Sequence, residues 1–106
     1  FLMAAGELAT VAHEGATPLF LVFDNGQYGT IRMHQARDFP GRVSGTPLTN
    51  PDFAALARSF GLHAETVDKT AAFPAALARC RGRAALLHLL QDPAEISPGR
   101  RLEPGA

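Results

Sequence analysis

Apolar positions along the chain follow two different patterns. Residues 18–23 and 84–90 form continuous apolar runs without alternation, which are typical of strands covered on both faces of a parallel sheet. Elsewhere apolar residues recur at helical spacing, which predicts helices over residues 4–14, 51–60 and 71–80.

The clearest local signal is the predicted start of the middle helix. Asn50 is a good N-cap, Pro51 suits the first helical position, and Asp52 complements the helix dipole. Apolar residues then fall at i, i+3, i+4 and i+7 within residues 53–60, and Gly61 ends the helix.

Weaker signals complete the pattern. Gly15 ends the first helix, a short helix is predicted from Tyr28 to Arg37, and residues 63–67 are a strand candidate. Thr70 is expected to cap the last helix. The prolines and glycines after Asp92 predict an irregular tail, so we expect one domain over residues 1–92 and a tail over residues 93–106.

Strands that alternate with helices predict an α/β fold, a parallel sheet with helices on both faces. Such sheets bind ligands at the carboxyl ends of their strands. The polar turn that best fits this place is Asp24–Gly29, which directly follows the first apolar run.

Composition excludes several classes of protein. The 106 residues carry ten basic and ten acidic side chains, a balance that predicts neither a nucleic-acid partner nor an anionic membrane surface. No stretch approaches the roughly 20 apolar residues that cross a bilayer. We therefore expect a cytoplasmic globular protein, with Cys80 as a buried thiol. A chain that begins at Phe1 without an initiator Met suggests a fragment.

The turn after the first apolar run carries the candidate chemistry. Asp24 and Asn25 offer side-chain oxygens that suit a hard cation such as Mg²⁺, and Gly26 and Gly29 let the backbone approach a ligand. The residues alone favour a plain Asx turn over a metal site, because Asn-Gly is a common turn dipeptide.

Five segments, in this order and spacing, resemble thiamine-diphosphate (ThDP) enzymes of the acetolactate-synthase-like group. They are Phe1–Met3 (FLM), Glu7–Thr10 (ELAT), Phe23–Gln35 (FDNGQYGTIRMHQ), Phe39–Thr46 (FPGRVSGT) and Asn50–Ala57 (NPDFAALA). The resemblance covers residues 1–93 and implies an incomplete ThDP-binding fold, the domain that holds the diphosphate.

The resemblance also implies a cofactor site. In this family a Gly-Asp-Gly begins the metal motif and an Asn pair closes it; Asp24 and Asn25 stand where the pair belongs, and the Gly-Asp-Gly would fall just ahead of Phe1. By resemblance Asn25 gives a side-chain oxygen to Mg²⁺ and Gln27 its backbone carbonyl. The implied cofactor-binding residues are Asn25, Gly26, Gln27, Tyr28 and Gly29.

An enzyme that decarboxylates or carboligates 2-keto acids is the implied parent. The activating Glu would come from a pyrimidine-binding domain of the same or a partner subunit, in a homo-oligomer, so no residue here is assigned a catalytic role. Glu7 is interpreted as structural. Among the histidines only His34 is a candidate for substrate contact, and Arg32 is among the arginines that could meet an anionic substrate.

Two alternatives remain at this point. The chain could be a non-catalytic remnant that serves packing or protein interaction. Whichever function is correct, the isolated 106 residues are expected to show no measurable ThDP binding. A nucleotide-binding domain is disfavoured because no Gly-x-Gly-x-x-Gly or phosphate-loop Lys follows a strand.

Overall fold

The computed structural model describes residues 1–106. The helices are α1 (Leu8–Glu14), α2 (Gly29–Asp38), α3 (Phe53–Ser59) and α4 (Phe73–Arg79), and the strands are β1 (Leu19–Asp24), β2 (His63–Val67), β3 (Ala85–Leu90), β4 (Glu95–Ser97) and β5 (Arg100–Arg101). Short 3₁₀ segments span Leu2–Glu7 and Thr70–Ala72. The chain divides into two compact units, residues 1–23 with 51–90, and residues 24–50 with 91–106.

The first unit is built on a three-stranded parallel sheet with the order β1-β3-β2. Strands β2 and β3 pair in parallel from His63 opposite Ala85 to Val67 opposite Leu89. The strands that the apolar runs and residues 63–67 predict are therefore confirmed.

Helices cover both faces of this sheet, which confirms the predicted fold class. On one face, Leu86 of β3 belongs to a core that includes Leu8 of α1 and Phe53 of α3. On the other face, Leu87 packs with Ala76 of α4. Successive side chains of a strand point to opposite faces, so one central strand serves both cores.

Strand β1 departs from the prediction that both of its faces are covered. Val22 is buried, whereas Leu19, Leu21 and Phe23 are 42%, 40% and 62% exposed. The cause is position: β1 ends the sheet, and no helix of the chain covers the alternate residues of this strand.

The predicted starts of two helices are also wrong in detail. Helix α3 begins at Phe53, and its N-cap is Asp52, which accepts a 3.0 Å hydrogen bond from the Ala55 amide. Asn50, the predicted cap, lies two residues too early. Thr70 makes no capping hydrogen bond and instead begins a 3₁₀ turn that leads into α4.

The second unit contains α2 and a short antiparallel hairpin of β4 and β5. The hairpin lies where an irregular tail was expected. Ion pairs support it, because Arg101 bonds the carboxylates of both Asp92 and Glu95. No helix in either unit combines the length and the apolar character that crossing a bilayer demands.

Candidate functional site

The segment Asp24–Gly29, called here the site loop, connects the end of β1 to the start of α2. It folds as two successive Asx turns. Oδ1 of Asp24 accepts a 2.9 Å hydrogen bond from the Gly26 amide, and Oδ1 of Asn25 accepts a 3.3 Å bond from the Gln27 amide. The plain-turn geometry is thus present, and it holds the side chains of two oxygen-bearing residues in fixed positions.

A second segment, Thr46–Asn50, runs alongside the site loop and is called here the brace. The Tyr28 amide donates to the Thr46 carbonyl at 2.9 Å, and the Leu48 amide donates to the Gly26 carbonyl at 2.8 Å. Gln27 and Pro47 consequently form an antiparallel bridge. The side-chain amide of Asn50 adds a third connection, a 2.8 Å hydrogen bond to Oδ1 of Asp24.

This pairing determines where the Gln27 backbone points. In an antiparallel pair, residues alternate between those whose backbone groups face the partner and those whose groups face away. Gly26 and Tyr28 face the brace, so the Gln27 carbonyl faces away from it. That carbonyl accepts no hydrogen bond from the chain, and its lone pairs are available to a ligand.

Glycine is favoured at two positions of the site loop for different physical reasons. Gly26 has a φ of 66°, the left-handed region that side chains disfavour. Gly29 is needed for space, because a Cβ there would lie 2.8 Å from Nδ2 of Asn25. One glycine therefore shapes the turn, and the other makes room for the Asn25 side chain.

Side chains beyond the loop extend the brace. Thr46 is 2% exposed, and its hydroxyl donates to Oε1 of Gln35 at 3.1 Å. The Gln35 amide in turn donates to the Ser44 carbonyl at 2.6 Å. Three contributors were not among the site residues predicted from the sequence, namely Gln35, Thr46 and Asn50. The one available signal was that all three lie inside the segments that carried the family resemblance.

The remaining predicted site residues differ in accessibility. Tyr28 is 52% exposed, so its ring is free to meet a ligand. His34, on α2, is exposed as well. Arg32 is occupied by contrast: its Nη2 bonds the Ala106 carbonyl, and its Nη1 is buried without a hydrogen bond.

Three titratable side chains in the first unit contact other residues of the chain. The His88 ring meets Phe53 edge-on at 4.9 Å between centroids, and Glu7 accepts a 3.0 Å hydrogen bond from Thr10. Cys80 is buried and donates to the Ala76 carbonyl, and burial raises the pKa of its thiol. The burial of Cys80 confirms the prediction of a buried thiol.

Several open grooves lie in the second unit, and two of them include residues described above. One, of about 490 Å³, is lined by Gln27, Arg32 and residues of the C-terminal segment from Pro93. The other, of about 530 Å³, is lined by Gln35, Phe39, Arg42, Val43 and Ser44. In the first groove, the Gln27 side chain is fixed by a 2.5 Å hydrogen bond to the Pro93 carbonyl.

The donor set of the site loop suits part of a magnesium site. Asn25 Oδ1 and the Gln27 carbonyl are hard, neutral oxygens of the kind that Mg²⁺ accepts. No group of three or more His, Cys, Asp or Glu side chains in the chain is arranged to hold a metal ion. The loop therefore fits a cation whose charge is balanced by other ligands, such as phosphate oxygens.

Comparison with known proteins gives consistent results. The family model described as "Thiamine pyrophosphate enzyme, C-terminal TPP binding domain" matches residues 1–89; thiamine pyrophosphate (TPP) is another name for ThDP. The acetolactate synthase isozyme 2 large subunit of Escherichia coli (strain K12) is 37% identical over 78 residues, 73% of this chain and 14% of that protein. The probable acetolactate synthase large subunit of Methanocaldococcus jannaschii is 32% identical over 109 residues, 96% of this chain and 18% of that protein. The chain thus spans less than one fifth of the length of these relatives.

Proposed function

The chain belongs to the family of C-terminal TPP-binding domains of thiamine pyrophosphate enzymes, and on that premise we propose that its site loop holds ThDP through a Mg²⁺ ion. Asn25 Oδ1 and the Gln27 carbonyl are the metal ligands in this proposal. Gly26, Tyr28 and Gly29 complete the surface that meets the cofactor.

The observation that carries the proposal is the orientation of the Gln27 carbonyl. Pairing with the brace turns it away from the chain's own donors, and it accepts no hydrogen bond. A backbone carbonyl oxygen that accepts no hydrogen bond from the chain keeps both lone pairs for a cation, and Mg²⁺ accepts backbone carbonyl oxygens as ligands. Asn25 supports the same function, since Gly29 leaves space for its side chain.

Neutral ligands alone hold a divalent cation weakly, so the proposal includes further ligands. Mg²⁺ in proteins is usually bound by one or two carboxylates together with substrate phosphates and waters. The diphosphate supplies part of this negative charge. We assign the rest to a carboxylate outside the 106 residues, in agreement with the relatives' much greater length.

The activity we propose for the whole enzyme is decarboxylation or carboligation of 2-keto acids. When bound, ThDP supplies the electron sink for this chemistry. The residues of this chain bind and orient the cofactor, and the group that activates it lies on a pyrimidine-binding domain of the same or a partner subunit. Exposed apolar residues on β1, namely Leu19, Leu21 and Phe23, agree with burial in a larger, homo-oligomeric assembly.

The test is calorimetric titration of ThDP, with excess Mg²⁺, into the full-length product of the gene. Asn25→Ala removes one ligand and should weaken ThDP binding by at least about 10-fold. Loss of a group that only hydrogen-bonds to a metal ligand already lowers metal affinity by about 10–100-fold in other proteins. Asn25→Asp keeps an oxygen ligand and should retain binding. Thr49→Ala shortens an exposed side chain of the brace and is the matched control.

Unchanged affinity in Asn25→Ala contradicts the site assignment. Absence of ThDP binding by the unaltered protein contradicts the proposal as a whole and favours a non-catalytic packing domain. An equal loss in Thr49→Ala points to general disruption of the segment rather than to a lost ligand.

A further inference from the structure

We propose that Asp24 and Asn50 form a clasp that positions the two metal ligands, so that both act as positioning residues for the cofactor. This inference rests on the proposed function and extends it to residues that do not touch the metal. It starts from one hydrogen bond, between Nδ2 of Asn50 and Oδ1 of Asp24 at 2.8 Å.

The Asn50 side chain is not needed as the N-cap of α3. Its position before α3 predicts an N-cap, yet Asp52 caps that helix by accepting from the Ala55 amide. Asn50 is therefore available to the site loop. Its bond to Asp24 joins residues 26 positions apart in the chain.

Asp24 connects the clasp to the geometry of the loop. The same carboxylate oxygen that accepts from Asn50 also accepts from the Gly26 amide, at 2.9 Å. The Asp24 carbonyl accepts from the Gln91 amide at 2.8 Å, so the residue is held on both its backbone and its side chain. Hydrogen bonds to an ionised acceptor are about twice as strong as neutral ones, which makes this oxygen a firm anchor.

The anchored residues alternate with the proposed ligands. Asp24, Gly26 and Tyr28 are each bonded to the brace, and Asn25 and Gln27 lie between them. The clasp is the end of this ladder next to Asn25. Without it, the first Asx turn loses its fixed acceptor, and Asn25 is no longer held at a set distance from Gln27.

The experiment measures ThDP affinity with excess Mg²⁺ in the full-length gene product, and hydrogen exchange of the site-loop amides in the cofactor-free protein. Asn50→Ala should raise the ThDP dissociation constant by about 10-fold and accelerate exchange at Gly26 and Gln27. Asn50→Asp places two carboxylates together and should be worse. Asp24→Asn keeps an oxygen that can accept from Asn50. Its ThDP dissociation constant should stay within about 3-fold of the parent's, because a hydrogen bond to a neutral acceptor is about half as strong as one to a carboxylate.

The rescue and the control separate positioning from stability. The double variant Asp24→Asn with Asn50→Asp exchanges donor and acceptor, and it should recover most of the affinity lost in Asn50→Asp. Asp52→Ala removes the α3 cap two residues away; it should lower the melting temperature but leave ThDP affinity and site-loop exchange unchanged.

The clasp is wrong if Asn50→Ala binds ThDP within 2-fold of the parent while Asn25→Ala loses binding, an outcome that leaves the proposed function intact. It is equally wrong if Asp52→Ala weakens binding as much as Asn50→Ala, or if the double variant recovers nothing. Failure of the unaltered protein to bind ThDP removes the proposed function and the clasp together.

Discussion

Gly29 begins α2 without a positive φ, so backbone conformation does not require glycine at this position. Space does, because a Cβ there would lie 2.8 Å from Nδ2 of Asn25. Real Cβ atoms do not approach other atoms so closely, so the Asn25 amide group would have to shift. The identity of residue 29 is therefore coupled to the position of a proposed metal ligand.

Substitution of Gly29 by Ala should separate stability from binding. Alanine is the better helix former by up to about 1 kcal/mol, so the melting temperature should be unchanged or higher. Displacement of Asn25 should weaken Mg²⁺-dependent ThDP binding by about 10-fold. This is the lower end of the loss in metal affinity that follows when a residue supporting a metal ligand is changed. Calorimetry and thermal unfolding, with the exposed neighbour Thr30→Ala as control, test both effects. Parental affinity in Gly29→Ala contradicts the proposed place of Asn25 at the metal.

At the scale of elements, the side chain of Glu65 connects β2 to α4. Arg79 bonds both of its carboxylate oxygens, the shortest contact being 2.7 Å, and His63 adds a 2.7 Å contact. The Arg79 hydrogen bonds, with a smaller contribution from His63, lower the pKa of Glu65 from 4.5 to about 2 although burial opposes the shift. The ionised form is therefore favoured by folding.

The sign of this shift gives a pH dependence. A carboxylate with a lowered pKa in the folded state stabilises the protein above its unfolded pKa, and this stabilisation is lost as pH falls from 4.5 towards 2. Glu65→Gln should cost about 0.5–1 kcal/mol at neutral pH, as for other accessible ion pairs, and should cost progressively less in acid. Urea unfolding at a series of pH values measures it, with the exposed Glu14→Gln as control. A difference between Glu65→Gln and the parent that does not shrink towards pH 2 contradicts the assignment.

The elements that sequence predicts well are those whose signal is local. Strand β2 has the predicted bounds, and β3 begins one residue after its apolar run does. Asn50 shows why boundaries fail: it has the chemistry of a cap, but the helix begins after Asp52, and the Asn50 amide instead donates to a carboxylate 26 positions away. Local patterns also cannot show that β1 ends the sheet, or that Arg101 pairs with Asp92 and Glu95 to hold a hairpin.

The same limit applies to the candidate site. The residue types of Asp24–Gly29 indicate oxygen ligands after a strand, and the resemblance assigns them to Mg²⁺ and ThDP. The direction of the Gln27 carbonyl follows only from pairing with Pro47, and the space around Asn25 only from the absence of a side chain at residue 29. These are properties of through-space neighbours, which spacing along the chain does not specify.

At the scale of the whole molecule, the chain exposes several large apolar side chains, and its proposed metal site has only neutral ligands. Leu19, Leu21 and Phe23 on β1 are exposed, as are Phe1 and Met3. Large exposed apolar groups of this kind usually mark surfaces that meet other protein segments. The proposed metal ligands are neutral, so the site also requires charge from outside these residues. Both features fit a domain that works as part of a larger protein.

The isolated 106-residue chain is therefore expected to show no saturable binding of ThDP in excess Mg²⁺, and the full-length gene product is expected to bind it. The reason is electrostatic: Asn25 and Gln27 contribute two neutral oxygens, and Mg²⁺ usually requires at least one protein carboxylate beside the phosphates. Thermal unfolding of the chain should first show a cooperative transition, so that absence of binding reports on the ligands and not on a disordered protein. Saturable micromolar binding by the folded chain, abolished by Asn25→Ala, contradicts the need for an outside carboxylate. In that case the diphosphate supplies enough charge for the two neutral ligands to suffice.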